Sequence, residues 1–350
     1  MKDKCLEEDL EIIAGNAQKY TELHHSTVLV TGSTGLVGSL TVKGLLTMNR
    51  IYNTDIKVLA MIRSREKAAK IFAGFTDSNL EFINGDLSNP VDIAVPVDFI
   101  VHTASPTSSK FFVEHPVETL ETAIDGTRNI LKFAVDKKCR GVVYLSSMEA
   151  FGNPGNAADR AKEDDLGYID IHNVRSSYSE GKRICELLCS CFSHEYNVPV
   201  RIARLAQTFG AGISYEENRV FAQFAKSVIN RTDIVLHTRG LSYGNYCYTR
   251  DVINALLLLL VRGEDGQAYT VANEASATTI FEMANMVAEK LAGNEIKVIF
   301  DIPEDSNTYG YAPDVQLRLD SSRMRSLGWT PEVSLEETYR RMISSMLSTK

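Results

Sequence analysis

From Thr27 onward, short apolar runs alternate with stretches whose apolar residues recur at helical spacing. The runs predict strands at 27–31, 56–62, 80–83, 98–101, 141–146 and 199–203. Helical segments fall between them, near 36–48, 65–72, 116–136 and 178–195. Strands alternating with helices give βαβ units, hence an α/β fold with a doubly wound parallel sheet covered on both faces. After about residue 205 the alternation loosens into short helices and strands without a Gly/Ser linker. The chain thus divides into a sheet domain over 26–205 and a smaller mixed α/β lobe over 206–350, partly interwoven with it. Ahead of both, residues 1–25 read as an extra helix with Leu6, Leu10, Ile13 and Leu23 as a broken apolar stripe. No chemistry is assigned to it.

Composition narrows the class of protein. Of 350 residues, 44% are hydrophobic and 23% charged, as in a globular enzyme. A formal net charge of -8, with no dense Lys/Arg block, argues against a nucleic-acid surface. The longest apolar run, Ala255 to Val261, is too short to span a bilayer. The acidic amino terminus lacks the apolar stretch of a signal peptide, so a cytoplasmic location is expected. The six cysteines form no disulfide framework. On a helix Cys185 and Cys189 share a face and Cys191 points elsewhere, so they read as small core residues rather than a metal site. His24-His25 reads as exposed polar chain, the other histidines are scattered, and no metal is expected. Trp329 reads as a packing anchor near the carboxy terminus.

The first strand runs into Thr31-Gly32-Ser33-Thr34-Gly35-Leu36-Val37-Gly38, and a helix follows. Glycines at that spacing suit a tight turn in which a pyrophosphate meets bare backbone at a helix amino terminus. Placed at the first βα crossover, Gly32, Thr34, Gly35, Leu36, Val37 and Gly38 are the candidate cradle of a dinucleotide on a Rossmann sheet. Asp86 and Leu87 end the third strand, where the Asp side chain can meet an adenine edge. Thr103, Ala104 and Ser105 end the fourth, where small residues admit the nicotinamide ribose. The second strand ends in Arg63-Ser64 with no acid until Glu66. An acid there would bind a ribose 2′-hydroxyl, whereas Arg63 and Ser64 suit a 2′-phosphate. The cofactor is NAD(P), with NADP favoured by Arg63 and NAD kept open.

Tyr178 and Lys182 are four apart, which on a helix puts both side chains on one face. A lysine cation and a positive nicotinamide ring would lower the phenol pKa towards neutrality, making it a usable base. Their helix follows the fifth strand, which ends in Ser146-Ser147, and a hydroxyl there completes a Ser-Tyr-Lys set.

The succession TGSTGLVG, GDL, HTAS, SSMEAFG, YSEGK and RLAQTFGAG resembles, over nearly the whole chain, the extended short-chain dehydrogenases of the NAD-dependent epimerase/dehydratase family. These act on nucleotide sugars. Arg175 to Arg183 is similar to the RSxYxEGKR of UDP-glucuronate decarboxylases, as are Arg201 to Arg204 and Thr208-Phe209-Gly210 to later positions. The resemblance implies Tyr178 as acid/base, Lys182 as its helper, Ser147 as hydroxyl partner and Glu149 near C5 of the sugar. It implies hydride transfer from C4 and then chemistry on a 4-keto sugar, in which C5 is acidic and a C6 carboxylate is easily lost. It implies a homodimer through helices 116–136 and 178–195, and substrate contacts at Thr107, Gln207 and Arg250.

Three positions depart from the family pattern. Met148 stands where 4,6-dehydratases carry an aspartate, which ranks dehydration low. Gln207 replaces an asparagine but can still donate to a diphosphate. Gly244 stands where a substrate-binding arginine is usual, leaving Arg239 or Arg250 to compensate. Tyr309 and Tyr311 are candidates to line a substrate pocket. The resulting reading is a UDP-glucuronate decarboxylase-like enzyme or epimerase, with an NADPH-dependent reductase of a nucleotide-linked keto sugar as the alternative. A non-catalytic dinucleotide-binding sensor or scaffold is the reading from a different class, and the intact Ser147, Tyr178 and Lys182 count against it.

Overall fold

The structure is a computed structural model describing residues 3–75, 77–155, 160–302 and 315–350. Tyr309 and Tyr311 lie outside the described residues. In chain order the elements are α1 (Lys4–Ala14), β1 (Thr27–Thr31), α2 (Leu36–Tyr52), β2 (Lys57–Ile62), α3 (Arg65–Ile71), β3 (Leu80–Asn84), β4 (Phe99–His102), α4 (Ser109–Glu114), α5 (Pro116–Lys137) and β5 (Gly141–Ser147). They continue as α6 (Ser176–Tyr196), β6 (Val200–Leu205), β7 (Gln207–Phe209), α7 (Val220–Asn230), β8 (Ile234–Leu236), β9 (Tyr243–Tyr248), α8 (Thr249–Arg262), β10 (Ala268–Val271), β11 (Asn273–Thr279), α9 (Ile280–Met286), β12 (Val298–Phe300), α10 (Ser322–Ser326) and α11 (Leu335–Thr349).

Seven parallel strands form the main sheet in the order β10-β6-β5-β4-β1-β2-β3. The order reverses between β1 and β4, and ligands of such sheets bind at the carboxyl ends of the strands there. Every residue of β4 is buried, as are four of the five in β1, because helices cover both faces. Val28 and Val30 belong to the core built with α2 and α8, whereas Leu29 and Ile100 belong to the core built with α5 and α6. The period-two alternation of a strand produces that division. The seventh strand, β10, and the covering helix α8 both come from beyond residue 205, so the second half of the chain is woven into the first. Two smaller sheets, β11-β9-β7 and β12-β8, build the second lobe.

The amino-terminal segment differs from the predicted single helix. Helix α1 ends at Ala14, and two 3-10 turns over Gly15–Gln18 and Thr21–Leu23 lead into β1. Leu10, Ile13 and Leu23 are buried with α2 and α8, so the segment belongs to the main core rather than lying over it. Cys139, Cys185, Cys189 and Cys247 are buried and Cys191 is exposed, which matches the helical-face reading of the cysteine cluster. Trp329 is buried and its Nε1 donates to the Asp251 carbonyl at 2.9 Å, as befits a packing anchor. Among the described residues no helix is long and apolar enough to cross a membrane, and no cluster of side chains is arranged to hold a metal.

Candidate active site

The turn after β1 is built by glycine at two points. Gly32 has φ +62°, and a Cβ there would fall 2.8 Å from the backbone of Ala104. A Cβ on Gly38 would fall 2.4 Å from the Gly32 carbonyl oxygen and 2.8 Å from Thr103 Oγ1. Only hydrogen fits at either position. Helix α2 starts with Gly35 as N-cap and no capping side chain, so the first-turn N–H groups of Leu36 and Val37 are free of one. An uncapped helix start beside bare glycine backbone fits the pyrophosphate of a dinucleotide.

The end of β4 is pinned to this turn. Thr103 Oγ1 donates to the Thr31 carbonyl at 2.7 Å, and the Ala104 N–H donates to Thr31 Oγ1 at 3.3 Å. Thr31 Oγ1 also lies 2.7 Å from His102 Nδ1. Burial, with the nearby Lys182 charge, holds His102 down to about 3, so the ring is neutral and acts as a strut between strands.

The remaining cofactor candidates line the same edge. Leu87 is buried and Asp86 exposed, with the Asp86 carboxylate accepting the Ser88 N–H at 3.0 Å. Arg63 is exposed at the end of β2. The Ser64 hydroxyl oxygen caps α3 by accepting the Lys67 N–H at 3.2 Å. Ser105 donates to the Pro106 carbonyl at 3.2 Å, and Thr107 is exposed just before α4.

Ser147 closes β5, and Tyr178 and Lys182 rise from the first turns of α6 beside it. Ser147 forms a hydrogen bond that draws the Tyr178 phenol downward, but burial outweighs it. With the Glu149 charge acting in the same direction as burial, the phenol is pushed up to about 12. The charges of Arg175 and Arg219 draw it down as the Ser147 bond does, and desolvation outweighs all three. Burial pushes Lys182 down to about 8, and its Nζ donates to the Leu145 carbonyl at 2.7 Å while lying 5.7 Å from the Tyr178 ring centre.

Several residues of the site had no role assigned from sequence. Phe112 of α4 stacks on Tyr178, with ring centres 4.3 Å apart. Arg175 grips Glu149 through two bonds of 2.8 and 3.0 Å, and Ser179 donates to the same carboxylate at 3.0 Å. Arg175 and Ser179 are four apart and so share a helix face, a signal present in the sequence; the partner, Glu149, was not legible. Ser146 donates to Glu186, which forms a buried ion pair with Arg204 at 2.7 Å. Arg219, at the start of α7, lies near enough to Tyr178 for its charge to stabilise the phenolate.

The substrate candidates separate. Gln207 opens β7 with an exposed side chain, opposite Tyr246 in register. Gly244 faces open space, and Arg239 is exposed. Arg250 is a correction: it is buried and its guanidinium meets Asp9 of α1 at 3.4 Å and Glu332 at 3.1 Å. Those carboxylates occupy the cation, so it does not replace the arginine missing at Gly244.

A glycine cradle at the switch point with a Ser-Tyr-Lys group one strand away defines a dinucleotide-dependent short-chain dehydrogenase fold. The family model for the NAD dependent epimerase/dehydratase family matches residues 28–273, and the chain belongs to that family. It is 29% identical over 319 residues to UDP-glucuronic acid decarboxylase 6 of Arabidopsis thaliana, spanning 89% of this chain and 85% of that one. It is 28% identical over 326 residues to UDP-glucuronic acid decarboxylase 1 of Danio rerio, spanning 92% and 73%. Among solved structures, the fold is similar to UDP-glucose 4-epimerase of Thermotoga maritima with UDP-glucose, at TM-score 0.76, 19% identity, and 92% and 99% coverage. A mutant UDP-glucuronic acid 4-epimerase of Bacillus cereus, in complex with a fluorinated UDP-glucuronic acid and NAD, matches with TM-score 0.76, 18% identity, and 93% and 100% coverage.

Proposed function

We propose that this chain oxidises C4 of a nucleotide-linked sugar and works on the resulting 4-keto sugar, as a UDP-glucuronate decarboxylase or a 4-epimerase. The single observation that supports it best is the convergence of Ser147, Tyr178 and Lys182 beside the Gly32–Gly38 turn. The residues of that turn, with Arg63, Asp86, Leu87 and Thr103 to Ser105, would hold the dinucleotide. When bound, its nicotinamide supplies a hydride acceptor, and later donor, facing the sugar. Tyr178 takes the C4 hydroxyl proton, and Ser147 hydrogen-bonds the same oxygen. Lys182 holds positive charge near the phenol, which favours the phenolate that Tyr178 becomes as a base. With a carbonyl at C4, the C5–C6 bond of a hexuronate breaks to release carbon dioxide, and its electron pair is held as an enolate. Tyr178, holding the proton it took from the C4 hydroxyl, donates a hydrogen bond to the enolate oxygen O4 through that step. Met148, a thioether, offers no acid for expelling a hydroxyl, which weighs against dehydration. Gln207 and Thr107 are proposed substrate contacts.

We further propose a homodimer, supported by Val117, Ile184 and Leu187 exposed on α5 and α6, working in a reducing cytoplasmic setting that suits unpaired cysteines. The test is conversion of UDP-glucuronate, followed as carbon dioxide release and as the sugar products, in wild type and Tyr178→Phe. Turnover lost in the variant with dinucleotide binding retained supports the reading; a wild type inert towards every nucleotide sugar offered overturns it.

Arg63 favours a second reading, an NADPH-dependent reductase of a nucleotide-linked keto sugar. Titration of the dinucleotide-free protein separates the two. Tight NAD binding supports the internal redox cycle, and a preference for NADPH that is lost in Arg63→Ala supports the reductase.

A further inference from the structure

We propose that Arg175 is a positioning residue: with Ser179 it clamps the Glu149 side chain and so fixes the Ser147 hydroxyl against the Tyr178 phenol. The proposal rests on the reading of Tyr178 as the acid/base.

A chain of bonds carries it. The Arg175 guanidinium approaches Glu149 edge-on, Nη1 to Oε2 at 2.8 Å and Nη2 to Oε1 at 3.0 Å. Ser179 Oγ adds a third donor to Oε2 at 3.0 Å. The Glu149 N–H in turn donates to Ser147 Oγ at 3.2 Å, so the clamp connects the start of α6 to the end of β5. Tyr178 stands on α6 between the two clamping residues. The guanidinium also lies over the Phe112 ring, 5.2 Å from its centre, and Phe112 is the ring stacked on Tyr178. Arg175 therefore reaches the reacting group by two routes, one polar and one aromatic.

The chemistry of the pair fits a strut better than a proton carrier. Both oxygens of Glu149 are engaged, Oε1 by Arg175 and Oε2 by Arg175 and Ser179 together. Fork-to-carboxylate pairing is specific to arginine, because a lysine supplies a point charge without the second parallel bond. The pair also masks charge from the phenol. Glu149 raises the proton affinity of Tyr178 and Arg175 lowers it, so unmasking either one moves Tyr178 in the opposite direction from unmasking the other.

The test compares Arg175→Met, Arg175→Lys, Glu149→Gln and the double variant Arg175→Met/Glu149→Gln in the full chain, each checked for folding by its thermal transition. With a substrate nucleotide sugar, Arg175→Met is expected to lose about 100-fold in kcat at unchanged KM, the scale of misplacing a catalytic group. The pH limb set by Tyr178 should move to higher pH. Arg175→Lys should hold the limb in place while recovering only part of kcat, and the double variant should bring the limb back. A second readout needs no turnover: tyrosine labelled with carbon-13 at the ring carbon bearing oxygen, with Tyr178 assigned through Tyr178→Phe. Glu149→Gln should titrate at lower pH than wild type, and Arg175→Met at higher pH. An unchanged Tyr178 titration in both variants overturns the proposal, as does a loss confined to KM, which would make Arg175 a direct sugar ligand. If the wild type turns over no nucleotide sugar, the functional reading fails while the labelled tyrosine still decides the clamp.

Discussion

Phe112 lies flat against Tyr178, with ring centres 4.3 Å apart and planes within 10° of parallel. The phenylalanine is buried, so it removes water from one face of the phenol and holds the ring in a single orientation. Such a pair contributes about 1 kcal/mol beyond the area it buries. It also explains why desolvation is the largest influence on Tyr178, which stands at about 12. Phe112→Leu keeps an apolar side chain but gives up the flat contact. Water then reaches the phenol, its pKa falls towards 10, and the limb that Tyr178 sets in kcat/KM moves to lower pH while kcat drops. A limb that stays in place in Phe112→Leu would show that the stacked ring does not control the phenol.

The turn after β1 makes a sharper prediction, because there the obstacle is backbone. A Cβ on Gly38 would come within 2.4 Å of the Gly32 carbonyl oxygen, and neither side of that contact is a flexible side chain. Gly38→Ala must push the turn and α2 apart, widening the cradle proposed for the pyrophosphate. Dinucleotide binding measured by calorimetry should weaken by at least about tenfold, the equivalent of ~1.4 kcal/mol. Gly15→Ala is the control, since a Cβ there meets nothing within 4 Å. Equal affinities for Gly38→Ala and wild type would remove the cradle from this turn.

The amino-terminal helix is tied down by charge as well as by its apolar face. Asp9, itself buried, accepts from the Tyr248 hydroxyl and from Arg341 at 3.0 Å, and meets Arg250 at 3.4 Å. Three distant stretches, α1, β9–α8 and α11, converge on this one carboxylate. Asp9→Ala leaves two largely buried guanidiniums without it, which in comparable buried pairs costs about 3 kcal/mol or more. Urea unfolding should show that loss, with Asp9→Asn falling between the two. A variant as stable as wild type would mean that the neighbouring Glu8 and Glu332 compensate fully.

What the sequence revealed and what it concealed follow from range. The six strands before residue 205 and the four helices read between them were legible because period-two and 3.6-residue patterns are local, and a doubly wound parallel sheet followed from their alternation. The seventh strand, Ala268–Val271, was not legible. Tyr178 and Lys182 were legible for the same reason, being one helical turn apart. The clamp on Glu149 was not, since its partners lie 26 and 30 residues away across a loop. Arg250 misled because its position beside Gly244 in the sequence suggested the cleft, while Asp9, 241 residues away, claims its charge. The rise in the Tyr178 pKa was concealed too: spacing placed a cation nearby, but only packing shows how much water is excluded. Local rules gave the elements, and tertiary partners decided the electrostatics.

Asp251 ties the start of α8 to the carboxy-terminal segment, and burial raises its carboxyl to about 6 despite two backbone bonds that favour the anion. Those bonds run from the N–H groups of Glu332 and Val333 to Oδ2, at 2.9 and 3.0 Å, while buried Oδ1 has no hydrogen-bond partner among the described residues. An unfolded aspartate ionises near 3.8. Between about pH 4 and pH 6 the folded chain therefore holds a proton that the unfolded chain has released. Raising the pH through that window withdraws stability, and above it the loss is constant. A raise from 3.8 to about 6 corresponds to about 3 kcal/mol. Asp251→Asn keeps an oxygen for the two N–H groups, puts a neutral amide in place of Oδ1 and removes the titration. The difference in unfolding free energy between wild type and Asp251→Asn should therefore shift in favour of the variant as pH rises from 4 to 6.5, then stay level to pH 8. A difference that is flat across the whole range would mean that Asp251 ionises normally in the folded chain, and that water reaches Oδ1.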